Sequence, residues 1–343
     1  MLNQIELTNF GPLAKVQWDN LGPINLIIGG NGSGKTFLMK ACYCAMRTLE
    51  AYKRGNDPRT APEILVEKLR WTFESDKIGD LVSKGKDVEG PLESRIRLDG
   101  KDFRYSFGKD TTKQIQSLEN HVPPRDNSNS IFLPAKEVLS LHQVILRSRE
   151  RDQLFGFDDT YLDLARALGD DTTRGKNFQA FARARQMLED MLGGKVDRDK
   201  ETGGWHFRQK QGNLKFPIWI TSEGIKKIAI LDRLLGNRYL DQHSIVFIDE
   251  PEAALHPSAI STLMDIISLL ADFGIQFFLA SHSYFVVKKL YLIAQKQQMS
   301  IWAALGNKEN QWTYTDLRQG MPDNSIINES IDLYKQEVEL TLR

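Results

Sequence analysis

The sequence predicts an α/β protein whose mixed sheet opens with antiparallel strands and is interrupted by a compact, mostly helical insert. Three observations carry this. Apolar runs at 24–28, 245–248 and 275–279 are each followed by a helical stretch (37–54, 258–270, 284–295), the rhythm of strands laid parallel with helices between them. At the N-terminus Ile5 and Leu7, then Val16 and Trp18, alternate with polar neighbours as in a half-buried antiparallel ribbon. Between the first and second strand–helix units lies a stretch punctuated by Pro123, Pro124, Pro134, Gly156, Gly169 and Gly175, too dense in breakers for long heptad arms. The expected division is a core of residues 1–47 and 216–343 around an insert, 48–215, made of a β-hairpin and a helical lobe.

Each element has its own signal. Residues 62–73 read as a second helix, and 96–107 as a hairpin around Asp99-Gly100, a strong two-residue turn. A polar, proline-bearing stretch leads into a short strand at 131–133. Helical patterns follow at 136–151, 161–168 and 178–192, then two strands near 195–198 and 205–208 separated by Gly203-Gly204. Strands near Ile301 and Trp312 and a last helix from about Ile327 complete the chain.

Composition excludes several classes. Of 343 residues, 41% are hydrophobic and 26% charged, ordinary for a globular protein, and this length buries a large core without disulfides or metals. Lys+Arg and Asp+Glu both number 45, so any nucleic-acid or anionic-membrane site must be a local patch. The first residues lack a basic segment leading into an apolar one, and no apolar run approaches the roughly 18–20 residues of a spanning helix. A cytoplasmic address with no membrane partner is the expectation. Cys42 and Cys44 stand i,i+2 on a helical pattern and so point apart, which favours small buried thiols over a metal pair.

The chemistry-bearing motifs sit at strand ends. Gly29-Gly30-Asn31-Gly32-Ser33-Gly34-Lys35-Thr36 matches G-x-x-x-x-G-K-[ST], directly after a strand and before a helix. Glycines there let backbone N–H groups turn toward phosphates, and the helix N-terminus adds positive dipole. Lys35 can reach β- and γ-phosphates, and the Thr36 hydroxyl can ligate Mg²⁺. Four apolar residues, Ile245 to Ile248, then place Asp249 and Glu250 at the carboxyl end of a strand covered on both faces. Asp249 is the expected Mg²⁺ carboxylate and Glu250 the group that polarises the attacking water. Asp-Glu-Pro is also an ordinary helix start, and the P-loop is what favours the catalytic reading. His282 follows the apolar strand that ends near Leu279. Ser222-Glu223-Gly224 precedes an amphipathic helix whose first turn holds Lys226 and Lys227, cations where the macrodipole disfavours them. An ordinary N-cap by Thr221 or Ser222 explains the first part; two lysines and a serine beside free N–H groups would suit a polyphosphate.

The order P-loop, Ser-x-Gly, Asp-Glu, His resembles the ABC-ATPase superfamily, in its soluble RecF, SMC and OLD-like branch. Glu250-Pro251-Glu252-Ala253-Ala254-Leu255-His256-Pro257 resembles that branch's Walker B and D-loop, and Ile5 to Pro12 its first strand. The runs 131–140 and 320–325 resemble ATPases common in bacterial and prophage defence loci. The resemblance implies that ATP and Mg²⁺ are bound, with Gly29 to Thr36 as the nucleotide cradle. It also implies that His282 contacts the γ-phosphate, and that Ser222 and Gly224 bind a γ-phosphate held by a second copy. A homodimer on ATP binding is therefore expected. Glu223 and Ile225 replace the commoner residues of the signature. Lys136-Glu137 falls where a Q-loop glutamine is usual, which leaves open whether Glu137 substitutes for it, and the resemblance sets Phe10 near adenine.

These observations predict an ATP-hydrolysing switch that couples nucleotide state to a partner protein or nucleic acid, an effector encoded nearby and anti-phage defence being what the resemblance adds. The alternative is a RecF-like repair ATPase clamping duplex DNA, for which Arg198, Lys200, Arg208 and Lys210 would supply a phosphate patch. An OLD-type nuclease would need a further metal-binding domain, and no Asp-x-Asp cluster follows His282. A transporter subunit would need coupling to membrane helices, which the unusual signature disfavours.

Overall fold

The computed structural model describes residues 1–84, 89–115, 117–125, 127–170, 179–199, 201–212, 214–307 and 311–341. Lys200 of the basic hairpin, Gly175 of the breaker series and Phe178 of the helix expected at 178–192 lie outside them.

A six-stranded sheet holds the site. Its order is β14 (Trp312–Asp316), β13 (Ile301–Gly306), β3 (Ile24–Gly29), β12 (Gln276–Ser281), β11 (Ile245–Asp249) and β7 (Ile131–Leu133). All neighbours are parallel except the β13–β14 edge pair. Both faces of this sheet are buried, which explains the unbroken apolar runs. Along β11, Ile245 and Phe247 face one core while Val246 and Ile248 face the other. Each such side chain contributes roughly 1.5–3 kcal/mol by leaving water.

One face is covered by α1 (Lys35–Ala51) and α2 (Ala61–Thr72). Beyond them an antiparallel sheet runs in the order β2 (Leu13–Trp18), β1 (Leu2–Phe10), β4 (Leu92–Leu98), β5 (Lys101–Phe107) and β6 (Ser117–Asn120). The Asp99-Gly100 turn joins β4 to β5, with both residues at positive φ (48° and 77°). Cys42 and Cys44 are free and buried in this core, and burial pushes the Cys44 thiol up to about 12.

The other face packs α4 (Asp159–Gly169), α5 (Gln179–Leu192), α6 (Glu223–Gly236), α7 (Pro257–Asp272) and α8 (Tyr284–Gln297). A small antiparallel sheet of β8 (Gly194–Arg198), β9 (Trp205–Gln209) and β10 (Lys215–Pro217) adjoins them, and α9 (Ser325–Thr341) closes the chain with no buried residue. Segment 48–215 thus contributes to every layer: β7 extends the six-stranded sheet, and β4–β6 extend the ribbon of β1 and β2. The limits 48 and 215 are points along the sequence, not borders between sheets.

The helix expected at 136–151 is much shorter. Only α3 (His142–Leu146) is α-helical, followed by a wide turn closed by the Asp152 N–H on the Arg147 carbonyl at 3.1 Å. Upstream, Glu137 takes the Ser140 N–H on its own side chain at 3.0 Å, so a local side-chain bond replaces the helical one.

A buried charge network ties α4 to the back of α1. Asp163 accepts from Tyr43 (2.7 Å), Lys68 (3.0 Å) and Arg47 (3.3 Å), and Lys40 pairs with Asp158 at 2.6 Å. Burial opposes ionisation of Asp163, but Lys68 and Arg47 hold its carboxyl well below the usual carboxylate range. Among the described residues no helix is long and apolar enough to cross a membrane.

Candidate functional site

The site lies at the carboxyl ends of β3, β11 and β12, where a parallel sheet leaves its ligand crevice. β3 ends at Gly29 and the chain loops to α1 through Gly32 and Gly34, at φ +80° and +88°. A side chain at Gly34 would strike Leu13 Cδ2 at 2.6 Å, so glycine is required there for conformation and space alike. Open space surrounds the places where side chains at Gly30 and Gly32 would stand. Helix α1 has no side-chain cap, and its first turn therefore offers N–H groups to an anion.

Lys35 folds back over this loop, donating to the Gly29 carbonyl at 2.8 Å and the Gly30 carbonyl at 3.0 Å. Burial lowers its ammonium pKa, while Asp249, Glu250 and Glu252 act in the opposite sense. The Ser33 hydroxyl is buried without a hydrogen-bond partner. A polyphosphate would satisfy it, and a cradle with an orphaned hydroxyl, an uncapped helix and a lysine fits that group.

Thr36 Oγ1 donates to Asp249 Oδ2 at 2.8 Å, so the P-loop and the end of β11 already touch. Burial raises the Asp249 pKa, and the neighbouring Glu250 charge adds to this against Thr36, Lys227 and Lys35. A hydroxyl and a carboxylate at this spacing are oxygen donors suited to Mg²⁺, which keeps its remaining positions for phosphate and water. Glu250 stands at φ +49°, a left-handed conformation rare for a residue with a side chain. Its N–H donates to the Ala280 carbonyl at 2.9 Å. His282 Nδ1 lies 3.6 Å from Glu250 Oε1 and 3.7 Å from Glu252 Oε1. Glu252 in turn accepts from Ser281 Oγ at 2.8 Å and from the His282 N–H at 3.1 Å, which orients the histidine loop.

A cavity of about 470 Å³ is lined by Asn31 to Thr36, Asp249 and Glu250, with His282 not among its lining residues. Pro12, Phe37, Lys40, Thr72, Phe73 and Glu74 line the rest. Of this second set, Pro12 ends the run that the resemblance places near the adenine; the others come from two separate segments and carry no motif, Phe37, next to Thr36, being the one available hint. The expectation for Phe10 is corrected. Its ring is fully buried behind Phe37 and Phe73, 5.7 Å from each, and has no surface to offer a base.

Ser222 and Gly224 are not among the residues lining that cavity. Ser222 caps α6, its hydroxyl accepting the Ile225 N–H at 3.5 Å. Gly224 is forced by packing, since a side chain there would meet the Ala254 carbonyl at 2.8 Å. The lysines do not present free ammonium groups to a phosphate, which corrects the polyphosphate expectation. Lys226 is buried between Glu223 (2.7 Å) and Glu137 (3.6 Å), and Lys227 donates to the main-chain carbonyls of Glu250 and, at 3.4 Å, Asp249. Burial overcomes the macrodipole rule because each cation finds oxygen acceptors on a neighbouring loop. Glu137 is thereby engaged with Lys226 and Ser140 and is not among the cavity-lining residues.

This architecture is that of the ABC-type P-loop ATPases. The chain belongs to the family described as "AAA domain, putative AbiEii toxin, Type IV TA system", whose pattern matches residues 24–288. Among solved structures it is similar to an Smc head bound to the C-winged helix domain of ScpA, at 13% identity and a TM-score of 0.55, with 93% of this chain and 98% of that one covered. It is also similar to an Smc head with an extended coiled coil bound to the C-terminal domain of ScpA, derived from Pyrococcus furiosus. There the identity is 14% and the TM-score 0.51, with 96% and 99% covered. At these identities the likeness is one of fold. A comparison with curated protein sequences found no match.

Proposed function

We propose that this protein binds ATP with Mg²⁺, hydrolyses it, and closes into a dimer around two nucleotides. The observation that carries the reading is the contact of Thr36 with Asp249 at 2.8 Å beside Lys35 and Glu250, all at one cavity. Lys35 and the α1 N-terminus bind the phosphates. Thr36 and Asp249 hold the metal, which when bound neutralises charge on the β- and γ-phosphate oxygens. Glu250 orients a water for attack at the γ-phosphorus, and His282, within reach of the Glu250 carboxylate, contacts the γ-phosphate from the β12 side. Ser222 and Gly224 meet the nucleotide of a second copy, consistent with their place outside their own chain's cavity.

In the cell this nucleotide cycle would drive a partner protein or nucleic acid. The family's description names a putative toxin and a Type IV TA system; anti-phage defence, with an effector encoded nearby, is the setting we propose for this chain. The RecF-like, DNA-clamping alternative gains no support from the basic hairpin, whose described cations are matched: Arg208 with Asp197 and Lys210 with Asp190, both at 3.3 Å, and Arg198 with the Gly169 carbonyl at 3.0 Å. The test is phosphate release from ATP by the purified protein with and without Mg²⁺. Metal-dependent release that Lys35→Ala and Glu250→Gln each lower strongly is expected; release unaffected by both substitutions overturns the reading.

A further inference from the structure

The N-terminal end of α6 grips the loop that carries Glu250. Lys227, the fifth residue of the helix, is half-buried, with its ammonium on the carbonyl oxygens of Glu250 and, at 3.4 Å, Asp249. Burial pulls its pKa down to about 8, while Glu252, Asp249 and Glu250 favour the charged form. One residue earlier, Lys226 pins the same turn to Glu137 at 3.6 Å on the loop following β7.

The acceptor is as unusual as the donor. Glu250 holds φ +49°, and a backbone in this sparsely populated region persists only when its surroundings over-determine it. Three bonds supply that determination: the Glu250 N–H donates to the Ala280 carbonyl at 2.9 Å, and the Glu250 carbonyl accepts from the Ala253 N–H at 3.0 Å and from the Lys227 ammonium. The peptides on both sides of its Cα are thereby clamped, one to β12 and the other both to its own turn and to α6. The direction of the Cα–Cβ bond follows from them, and with it the reach of the carboxylate into the cavity and toward His282.

We propose that Lys227 is a positioning residue, which aims the Glu250 carboxylate at the attacking water by holding its main-chain carbonyl. The proposal rests on the reading of Glu250 given above and adds a regulatory consequence. Ser222, the cap of α6, is five residues from Lys227, or about 7.5 Å of helix rise. A displacement of the α6 N-terminus is therefore delivered to Glu250 of the same chain.

The experiment is a double-mutant cycle on the full chain, with ATP affinity measured by a fluorescent ATP analogue and hydrolysis by single-turnover phosphate release. Lys227→Met keeps the aliphatic stem and removes the donor. The expected result is unchanged nucleotide affinity within about twofold and hydrolysis slowed about tenfold or more, with Lys227→Arg restoring most of the rate. In the Glu250→Gln background, Lys227→Met should slow hydrolysis no further, because a residue acting only through Glu250 has nothing left to position. A purely structural lysine would lower the rate additively or weaken binding, and either outcome overturns the proposal, as does a Lys227→Met protein at wild-type rate. If Lys227→Met does not fold, Lys227→Gln is taken through the same cycle, its shorter amide being unable to reach both carbonyls. Failure is separable from that of the underlying reading. Glu250→Gln hydrolysing at wild-type rate refutes the role of Glu250, whereas an inactive Glu250→Gln beside a fully active Lys227→Met refutes the positioning alone.

Discussion

The Thr36 hydroxyl donates to the Asp249 carboxylate across 2.8 Å, joining the P-loop to the end of β11. The two residues are 213 positions apart in sequence, and their contact prearranges two oxygen donors for a divalent cation. Asp249 bears the cost of this arrangement, since burial raises its pKa. Between the ordinary Asp value and the raised one, the folded state binds more protons than the unfolded. Stability contributed by this group therefore falls as pH rises through that window. Asp249→Asn, which carries no charge to desolvate, should raise the melting temperature of the nucleotide-free protein at pH values above that window. The same variant should lose the further stabilisation that Mg²⁺ and ATP give the wild type by linkage. Thermal melts with and without Mg²⁺-ATP check both halves, and a variant still stabilised to the wild-type extent contradicts the metal role.

Lys35 spends its ammonium on two loop carbonyls, at 2.8 and 3.0 Å, in a position where a phosphate offers stronger, charged acceptors. Lys35→Ala should keep the fold, because the core beneath α1 is built from Leu38, Met39 and Cys42 rather than from the lysine. It should weaken ATP binding at least tenfold, about 1.4 kcal/mol. Titration with a fluorescent ATP analogue measures this, and unchanged affinity in a folded variant would sink the phosphate-binding assignment.

Glu250→Gln separates binding from turnover. The amide keeps the size of the carboxylate but cannot accept a proton or orient water as strongly, so ATP affinity should persist while hydrolysis falls. A loss of about 10²-fold corresponds to roughly 3 kcal/mol of barrier. Steady-state phosphate release gives the answer, and a rate near wild type would remove Glu250 from the chemistry.

Much of this site was legible in the chain because its parts are local. A glycine-rich turn between a strand and a helix needs eight consecutive residues, and the acids at the end of β11 are announced by four apolar ones before them. The rest depends on contacts between distant segments. Nothing near Phe73 or Glu74 signals that they share a cavity with Lys35, because a loop after α2 must be carried there by packing. The lysines of α6 were noticed as a broken local rule, and the rule was indeed overridden, but by carbonyls of Asp249 and Glu250 rather than by a ligand. Phe10 failed for a related reason: aromatic character near a P-loop says nothing of depth, and Phe37 and Phe73 stand in front of it. The helix expected at 136–151 shortened because Glu137, a good helix former by propensity, bonded to its own loop.

The dimer makes the most demanding claim. Ser222 caps α6 on an exposed edge and does not line the P-loop cavity of its own chain, so on the proposed reading the γ-phosphate it meets would come from another copy. If so, ATP held without turnover should glue two chains together. Glu250→Gln with ATP and Mg²⁺ is expected to shift from monomer to dimer in light scattering, and Lys35→Ala is not. Adding Ser222→Arg to Glu250→Gln should cancel the shift, because a long cation then occupies the space of a small hydroxyl. The substitution is on the surface, at a cap whose loss costs about 1 kcal/mol, so the monomer should remain folded. Complementation gives a second measurement. Mixing Ser222→Arg with Lys35→Ala protein can assemble a heterodimer in which one composite site carries both defects and the other neither, and that intact site should recover part of the hydrolysis each variant lacks alone. A Glu250→Gln, Ser222→Arg protein that still dimerises with ATP as tightly as Glu250→Gln would show that α6 does not meet the partner's nucleotide. Gly224 would then be explained by its packing on the Ala254 carbonyl alone.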